Sequence, residues 1–259
     1  MLKLIGPIPK NASSGSPSRS DMRCAIFADI HGNLEALETA LSYTRRHHLS
    51  RFLVLGDSIG YGADPNECLK WAIENASLHV RGNHEAAVLN EAIREHFTDW
   101  ARKAIDWTAK QLKPGLAAKV KELPYLQIEG SLTLAHGTIH DPEEFHYLFS
   151  ESDAHKCFLA MQTVYGFVGH SHVPSFFAEK EGTGGRLKEG VLKLRKDERY
   201  VLNPGSIGQP RDRDPRLSFG IFDEEELTFE IIRLPYDNKK ASEKILAAGL
   251  PPELAYRLL

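Results

Sequence analysis

Five short motifs in this chain carry side chains that can bind metal ions. In chain order they are Asp29-Ile30-His31, Gly56-Asp57, Gly82-Asn83-His84, His136-Gly137 and Gly169-His170-Ser171-His172. Their polar residues are two carboxylates, one side-chain amide and several imidazoles, a ligand set that suits borderline divalent ions such as Mn, Fe and Zn. The motifs therefore predict a site for divalent metal ions.

Each motif follows a short apolar run that is typical of a β-strand. The first three runs alternate with helical segments between residues 23 and 84, a pattern that indicates right-handed βαβ units. In α/β folds, the loops that follow the carboxyl ends of the strands form the functional edge of the sheet. We therefore expect the five motifs to lie together at one such edge.

A helical insertion follows the third motif. Residues 85–112 form a long segment with a helical pattern and no strand signal, and Lys113-Pro114-Gly115 ends it. Because the insertion directly follows a ligand motif, we expect residues 85–124 to form a helical cap over or beside the metal site. Trp100 and Trp107 lie seven residues apart on one helical face, which favours packing inside the cap over stacking on a substrate.

Composition divides the chain into three regions. Residues 1–21 are rich in Ser, Pro and Gly, so we expect a flexible N-terminal extension. Residues 22–235 carry the motifs and predict one domain that includes the helical cap, with strand signals dominating from residue 125 onward. Residues 236–259 predict a helical tail that packs on this domain or on a partner subunit. A homodimer is therefore left open.

Charge and cysteine content narrow the classes of partner. The formal net charge of −3 gives no general affinity for nucleic acid or for an anionic membrane. No apolar run approaches the roughly 18 residues that a membrane-spanning helix needs. The three cysteines are scattered and odd in number, which indicates reduced thiols and a cytoplasmic protein. We therefore expect neither a membrane nor a nucleic-acid partner.

The order and spacing of the five motifs resemble those of the calcineurin-like metallophosphoesterases. The resemblance runs from about Met22 to about Pro235. Two longer stretches, Ala28-Asp29-Ile30-His31-Gly32-Asn33 and Asn203-Pro204-Gly205-Ser206, resemble the small prokaryotic phosphoesterases of this superfamily. The resemblance implies an α/β fold, a four-layer α/β/β/α sandwich of two mixed sheets with a helical cap insertion.

This resemblance also implies a binuclear metal-dependent phosphoesterase. Asp57 would bridge two divalent ions, which would be Mn, Fe, Zn or a mixture. The other implied ligands are, for the first ion, Asp29, His31 and His172 and, for the second ion, Asn83, His136 and His170. A hydroxide bridging the two ions would attack phosphorus in line, and His84 would donate a proton to the leaving oxygen.

The expected substrate is a small phosphomonoester or phosphodiester, with a nucleotide as one candidate, because helices over a site restrict access. Four further residues are candidates for substrate contact, namely Asn33, Tyr61, His140 and Arg211. Each has a structural alternative. Asn33 could cap the helix that begins at Leu34, Tyr61 could pack in the core, and His140 and Arg211 could be exposed side chains.

Two other functions compete with this interpretation. A non-catalytic scaffold with the same fold is disfavoured because a metal-competent side chain fills every ligand position. A nuclease is disfavoured because the chain has neither a basic excess nor room for an added DNA-binding domain. Ser58-Ile59-Gly60-Tyr61 lacks the second acid of the protein Ser/Thr phosphatases of this superfamily, which argues against phosphoprotein substrates.

Overall fold

The structure, a computed structural model, describes residues 23–259. The predicted N-terminal extension at residues 1–21 lies outside the described residues. The strands are β1 (Arg23–Phe27), β2 (Arg51–Val54), β3 (Leu78–His79), β4 (Leu126–Glu129), β5 (Leu132–Ala135), β6 (Tyr165–Phe167), β7 (Ser175–Ala178), β8 (Thr183–Arg186), β9 (Gly190–Lys193), β10 (Tyr200–Asn203), β11 (Leu217–Asp223) and β12 (Thr228–Leu234). The α-helices are α1 (Leu34–Arg46), α2 (Pro65–Asn75), α3 (Asn83–Leu89), α4 (Glu91–Arg94), α5 (Asp99–Gln111), α6 (Pro114–Val120), α7 (Glu151–Ala160), α8 (Asn238–Ala247) and α9 (Pro252–Tyr256).

The strands form two six-stranded sheets. The first sheet has the order β3-β2-β1-β11-β12-β9, and the second has the order β4-β5-β6-β10-β7-β8. Both sheets are mixed. In the first, β1 pairs in parallel with β2 and antiparallel with β11, while in the second, β10 pairs in parallel with β6 and antiparallel with β7. The predicted fold of two mixed sheets flanked by helices is confirmed.

One apolar core joins the inner faces of the two sheets. Ile26 and Leu53 of the first sheet share a buried cluster with Leu134 and Phe167 of the second. Side chains alternate along a strand, so the neighbouring residues of the first sheet point outward. There Phe27 packs in a second buried cluster with residues of α1. This alternation accounts for the almost completely apolar sequences of the central strands.

Helix α1 shows why its sequence folds where it does. Leu37, Ala40, Leu41 and Thr44 recur at helical spacing and are buried against the first sheet. The Asn33 side chain accepts a hydrogen bond from the Ala36 backbone N–H and begins the helix. The helix therefore starts directly after the first metal-ligand motif, which fixes where the loop at residues 28–33 turns.

The helical cap consists of several short helices. Residues 85–112, where a helical pattern without strands was expected, divide into the end of α3, α4 and α5. Asn90 and Thr98 cause the breaks, because each side chain accepts a hydrogen bond from a backbone N–H of the next helix, Ala92 and Ala101 respectively. Apolar spacing predicts helical structure here but does not show where these capping residues divide it.

The C-terminal helices pack on the helical cap of the same chain. Ile245 of α8 and Leu254 of α9 are buried in a cluster with Ala104 of α5, and Trp107 and Tyr61 pack against it. Helix α8 also contacts α1 through ion pairs to Glu35. Within residues 23–259, no helix is both long and apolar enough to cross a membrane.

Candidate metal centre

The five motifs lie at the carboxyl ends of strands from both sheets. Asp29, Asp57 and Asn83 follow β1, β2 and β3 of the first sheet. His136 and His170 follow β5 and β6 of the second. Because these strands run in parallel within each sheet, their carboxyl ends share one edge, and the two sheets bring those edges together. The site therefore spans the junction of the two sheets.

The structure brings together all seven residues predicted to bind metal. Three groups have donor atoms within 4.8 Å of one another, namely Asp29, His31 and His172; His31, Asp57 and His84; and Asp57, His136 and His170. The seventh residue, Asn83, has its Oδ1 atom 3.1 Å from His136 Nε2. We refer to Asp29, His31, Asp57, Asn83, His136, His170 and His172 as the candidate metal centre.

Asp57 lies between the two halves of this centre. The first half consists of Asp29, His31 and His172, and the second half consists of Asn83, His136 and His170. The Asp57 Oδ2 atom is 3.2 Å from His136 Nε2 on one side and 3.6 Å from His31 Nε2 on the other. Its Oδ1 atom accepts a hydrogen bond of 2.9 Å from the His84 backbone N–H. A carboxylate with donors from both halves around it has the position that a ligand shared by two cations needs.

Hydrogen bonds to the backbone fix the protonation of three imidazoles. In each case an Nδ1–H donates to a carbonyl oxygen: His31 to Ile59 at 3.1 Å, His136 to Leu55 at 2.6 Å and His172 to Gln209 at 2.6 Å. A carbonyl can only accept, so Nδ1 carries the proton and Nε2 of the neutral ring carries a lone pair. This arrangement orients an imidazole for metal binding.

Ring nitrogens of the centre approach one another in two pairs. The Nε2 atoms of His31 and His172 are 3.1 Å apart, and His136 Nε2 is 3.2 Å from His170 Nδ1. In the first pair both nitrogens are unprotonated and repel each other at this distance, and a cation that both can bind removes the repulsion. The donor set therefore fits divalent metal ions in both halves of the centre.

The pKa values of three of these histidines also favour metal binding. Burial lowers the pKa of His31, His170 and His172 well below the ordinary value of histidine. The neutral form that results is the form that binds metal. His136 is the exception, because the adjacent Asp57 carboxylate outweighs burial and raises its pKa to about 9.

The two carboxylates respond differently to burial. Burial raises the pKa of Asp29 to about 7. Burial acts on Asp57 in the same direction, but the neighbouring His136 and His84 outweigh it and hold the pKa of Asp57 well below its usual range. Asp57 is therefore ionised across the physiological range, as a bridging ligand must be.

Six residues of this region have a left-handed backbone conformation. They are Asp29, His31, Asp57, Tyr61, His170 and His172, with φ between 50° and 64°. For residues other than glycine this conformation costs about 1–2 kcal/mol each. Backbone hydrogen bonds hold the loops in place, including His31 N–H to Asp57 O at 2.8 Å and Gly208 N–H to Asp29 O at 2.9 Å. Strain of this kind is typical of functional sites.

Glu85 supports the centre, and the sequence analysis missed it. Its buried carboxylate accepts backbone hydrogen bonds from Asp57 at 2.8 Å, Ser58 at 2.7 Å and Gly82 at 3.0 Å. Burial, reinforced by the Asp57 charge, raises its pKa to about 7. The available signal was its position three residues after Gly82, where an acidic side chain reaches back to the residue that begins a helix.

His84 lies beside the centre and faces the cleft described below. Its Nε2 atom is 3.9 Å from Asp57 Oδ2, and its ring contacts the rings of Tyr61 and Phe97 at centroid distances of 4.5 and 5.1 Å. Among the described residues, its buried Nδ1 atom has no hydrogen-bond partner. Burial lowers the pKa of His84 to about 4. This position gives the ring access to a ligand of the centre.

A cleft of about 1050 Å³ opens over the centre. Its floor includes Asn83, His84 and His170. The walls come from the helical cap, the loops at residues 144–147 and 210–213, and the C-terminal helix α9. Tyr147 stacks on the His170 ring at a centroid distance of 4.0 Å and partly covers the second half of the centre.

Two of the four residues predicted to contact substrate line this cleft, Tyr61 and Arg211. One terminal nitrogen of Arg211, Nη2, donates to Gln209 Oε1 at 3.0 Å and to the Tyr61 hydroxyl at 3.4 Å. The guanidinium is therefore held in the cleft wall near the centre and is not a freely solvated charge.

The other two residues lie elsewhere. Asn33 caps α1, and its amide N–H groups donate to Gly208 O at 2.9 Å and to the Tyr236 hydroxyl at 3.2 Å. His140 lies beside the second sheet, with Nδ1 3.8 Å from Cys157 Sγ. Neither belongs to the cleft lining. Asn33 thus has the structural role that its position before α1 also allowed.

Comparison with known proteins places this site in a family. Residues 22–227 match the family model of the calcineurin-like phosphoesterase superfamily domain, so the chain belongs to that superfamily. It is 38% identical over 241 residues to the uncharacterized protein MJ0912 of Methanocaldococcus jannaschii, covering 90% of this chain and 96% of that protein.

Two solved structures are similar over nearly their whole length. The metallophosphoesterase from Sphaerobacter thermophilus is 35% identical with a TM-score of 0.83, covering 92% of this chain and 98% of that one. The hypothetical protein PH1004 from Pyrococcus horikoshii OT3 is 19% identical with a TM-score of 0.74, covering 91% and 97%. The second comparison shows a shared fold.

Proposed function

We propose that this protein hydrolyses small phosphate esters with the help of two divalent metal ions. The observation that carries the proposal is the convergence of four histidine ring nitrogens around the Asp57 carboxylate. Membership of the phosphoesterase superfamily supports the reaction class. The cleft of about 1050 Å³ supports a small substrate, because it is closed on several sides by the cap and the C-terminal helix.

The residues divide into two ligand sets. Asp29, His31 and His172 would hold the first ion, and Asn83, His136 and His170 would hold the second. Asp57 would be shared between them. Bound divalent ions supply an activated water and stabilise negative charge on the phosphoryl oxygens. The imidazole–carbonyl hydrogen bonds orient three of the ligands, and Glu85 fixes the backbone on which Asp57 lies.

Hydrolysis of a phosphate ester joins a water oxygen to phosphorus and breaks the bond from phosphorus to the leaving oxygen, which then takes up a proton. We assign the donation of this proton to His84, whose ring faces both Asp57 and the cleft. The negative charge of a bound phosphate favours the imidazolium and opposes the effect of burial on the pKa of His84.

Arg211 binds the non-bridging phosphoryl oxygens in this proposal. Gln209 and Tyr61 hold its guanidinium from one side, and the cleft lies on the other. A guanidinium stays charged at all working pH values and offers paired N–H donors that match phosphate oxygens. Arg211 thereby compensates for the lack of a basic excess in the chain as a whole.

The test is hydrolysis of p-nitrophenyl phosphate and bis-p-nitrophenyl phosphate in the presence of Mn. We expect turnover by the wild-type protein and a loss of about 100-fold or more in Asp57→Asn, because a bridging ligand is removed. The matched control is Asp223→Asn, which changes a buried carboxylate that pairs with Arg23 outside the site. This control should keep its turnover.

The outcome also separates the candidate substrates. A preference for the diester directs the search to cyclic or linear phosphodiesters, and a preference for the monoester directs it to sugar or nucleotide monophosphates. If metal-loaded wild type and Asp57→Asn are equally inactive on both compounds, the hydrolase proposal is wrong and the protein is a scaffold.

A further inference from the structure

Three arginines line the cleft without carboxylate partners. Arg211, Arg213 and Arg257 all belong to its walls. Within residues 23–259, none of the three guanidinium groups forms an ion pair, and those of Arg213 and Arg257 form no hydrogen bond either. Unpaired guanidinium groups on the wall of a concave site are available to an anionic ligand.

The loop that carries two of them explains why they are unpaired. In residues 211–214, arginines alternate with aspartates, and Pro215 and Arg216 follow. Asp212 forms its ion pair with Arg233, and Asp214 forms its ion pair with Arg216. The two aspartates are therefore engaged away from the cleft, and Arg211 and Arg213 are left to face it.

Apolar packing brings the third arginine to the cleft. Leu254, one turn before Arg257, is buried in the cluster that includes Ala104 of α5. Trp100, one turn before Ala104, lies on the same helix. As a result the Arg257 guanidinium lies 5.9 Å from the Trp100 ring centroid, at a point where cap and tail meet.

Trp100 has the exposure of a binding residue. Trp100 is 40% accessible and lines the cleft, whereas Trp107 on the same helix packs against the C-terminal tail. The sequence pattern favoured packing over substrate stacking for both tryptophans, and Trp107 is the one that packs in an apolar cluster. An indole and a guanidinium side by side form a surface on which a nucleobase can stack.

The charge balance of the cleft favours an anionic ligand with more than one charged group. Asp99 and Glu144 also line it, so the three arginines leave a net positive charge before any metal ion is counted. Arg211 serves the phosphoryl group at the metal centre. Arg213 and Arg257 are then available to bind a second phosphate, and Trp100 is available to stack on a flat ring.

We propose that Arg213, Arg257 and Trp100 form a second subsite that selects nucleotides carrying at least one phosphate in addition to the one at the metal centre. The inference rests on the proposed function for the position of the first phosphate. The outer phosphate lies between the guanidinium groups of the 210–213 loop and the C-terminal tail, and the base stacks on Trp100. The C-terminal tail is thereby part of the binding site.

Equilibrium binding to the Mn-loaded full-length protein tests this subsite without any turnover. The probes are β,γ-methylene-ATP, which has several phosphates and a base, and phenylphosphonate, which has one phosphoryl group. We expect Arg257→Gln and Arg213→Gln each to lower the ratio of the two affinities by about tenfold, the typical effect of losing one charge-assisted contact. Trp100→Ala should lower it by about 5-fold or more through lost stacking.

Arg102→Gln is the matched control, because Arg102 is exposed on the same cap helix as Trp100 but does not line the cleft. An equal fall in Arg102→Gln would show a general charge effect and overturn the subsite. An unchanged ratio in Arg213→Gln and Arg257→Gln would also overturn it.

Hydrolysis of p-nitrophenyl phosphate separates the two proposals. Turnover of that compound together with an unchanged affinity ratio removes the subsite and keeps the hydrolase. A fall of the ratio in the two arginine variants of a protein that hydrolyses no aryl phosphate keeps the subsite and removes the hydrolase.

Discussion

Among single residues, the neighbouring side chains of Asp57 and His84 have clearly different environments. Asp57 is ionised, shared by both halves of the centre and held through its backbone by Glu85. His84 lies next to it and lines the cleft, and among the described residues its Nδ1 atom has no hydrogen-bond partner. The environment of the first residue suits a fixed ligand, and that of the second suits a group that exchanges a proton.

Replacing His84 by Gln should remove the proposed proton donor without lowering the metal content. We expect turnover of an alkyl phosphate to fall by about 100-fold to 10,000-fold, the usual contribution of a general acid. The loss should be smaller for p-nitrophenyl phosphate, whose leaving group needs no proton. Turnover with both substrates and metal content by elemental analysis are the measurements. Equal losses on the two substrates, or metal loss as large as in Asp57→Asn, would contradict the assignment.

Gly60 lies directly against the His84 ring and leaves room for it because it has no side chain. A Cβ atom at Gly60, where φ is 86°, would lie 2.0 Å from His84 Nδ1. Gly60→Ala should therefore displace the imidazole, lower turnover by about tenfold or more and cost more than the roughly 1 kcal/mol that a positive φ adds for alanine. Thermal unfolding and turnover measure the two effects.

Gly182 provides the control for Gly60. It has a positive φ of 57°, but a Cβ atom there meets nothing within 4 Å. Gly182→Ala should lower stability by about 1 kcal/mol and leave turnover unchanged. Wild-type turnover in Gly60→Ala would show that the position of His84 does not depend on this glycine.

At the scale of elements, strand ends could be located from sequence, and helix breaks could not. The hairpin of β4 and β5 consists of two apolar runs around Gly130, and runs of this kind can be recognised in a sequence. The motif residues could be placed because each follows such a run. The helix breaks at Asn90 and Thr98 could not be predicted, because each depends on a single hydrogen bond from a side chain to the backbone. The spacing of apolar residues carries no information about such hydrogen bonds.

The supporting role of Glu85 could not be predicted for a related reason. Its three backbone partners come from two separate strand ends, so its role depends on how the loops after β2 and β3 meet. The cleft residues Trp100 and Arg257 depend likewise on the packing of the tail against the cap. Contacts between distant segments of this kind have no local pattern that a single sequence would show.

The C-terminal tail is also held by charge, through Glu35 at the start of α1. Its side chain is 5% accessible, and its carboxylate lies 3.0 Å from Lys240 Nζ and 3.1 Å from Lys244 Nζ. Burial acts to raise the pKa of Glu35, but hydrogen bonds from the two lysines outweigh it and lower that pKa below its ordinary value. The pairing therefore stabilises the folded protein above the ordinary pKa of glutamate.

Glu35→Gln should lower the free energy of unfolding at pH 7 by roughly 1–2 kcal/mol. Because the folded pKa is depressed, this contribution is lost as pH falls through about 4.5 and below, so wild type and variant should converge in that range. Urea denaturation at several pH values measures it. Glu38→Gln, an exposed change on the same helix, should have little effect at any pH. A difference that persists unchanged at low pH would exclude the ion pair as its source.

At the scale of the whole molecule, the candidate metal centre connects the two sheets. The candidate ligands come from loops of both sheets and converge on the same site. The Nε2 atoms of His31 and His172 face each other at 3.1 Å, a contact that is unfavourable without a cation between them. Bound metal should therefore raise the stability of the whole protein.

Thermal unfolding with Mn and with a chelator checks this expectation. At a metal concentration about 100 times the dissociation constant, the gain is about 2.7 kcal/mol, which corresponds to roughly 5–10 °C in Tm. Asp57→Asn should lose most of the shift, and Asp223→Asn should keep it. Equal Tm values for wild type with Mn and with chelator would contradict a metal site of this strength.

The distance along the chain between ligands has a consequence for protein synthesis. His31 and His172 are separated by 141 residues, and the helical cap and three of the six strands of the second sheet, β4, β5 and β6, lie between them. A nascent chain that has emerged through the cap carries Asp29, His31, Asp57 and Asn83 but none of the ligands from the second sheet. If these residues bind the ions as proposed, the site becomes complete only after His172 has been synthesised, and a chain that ends before residue 172 lacks at least that ligand.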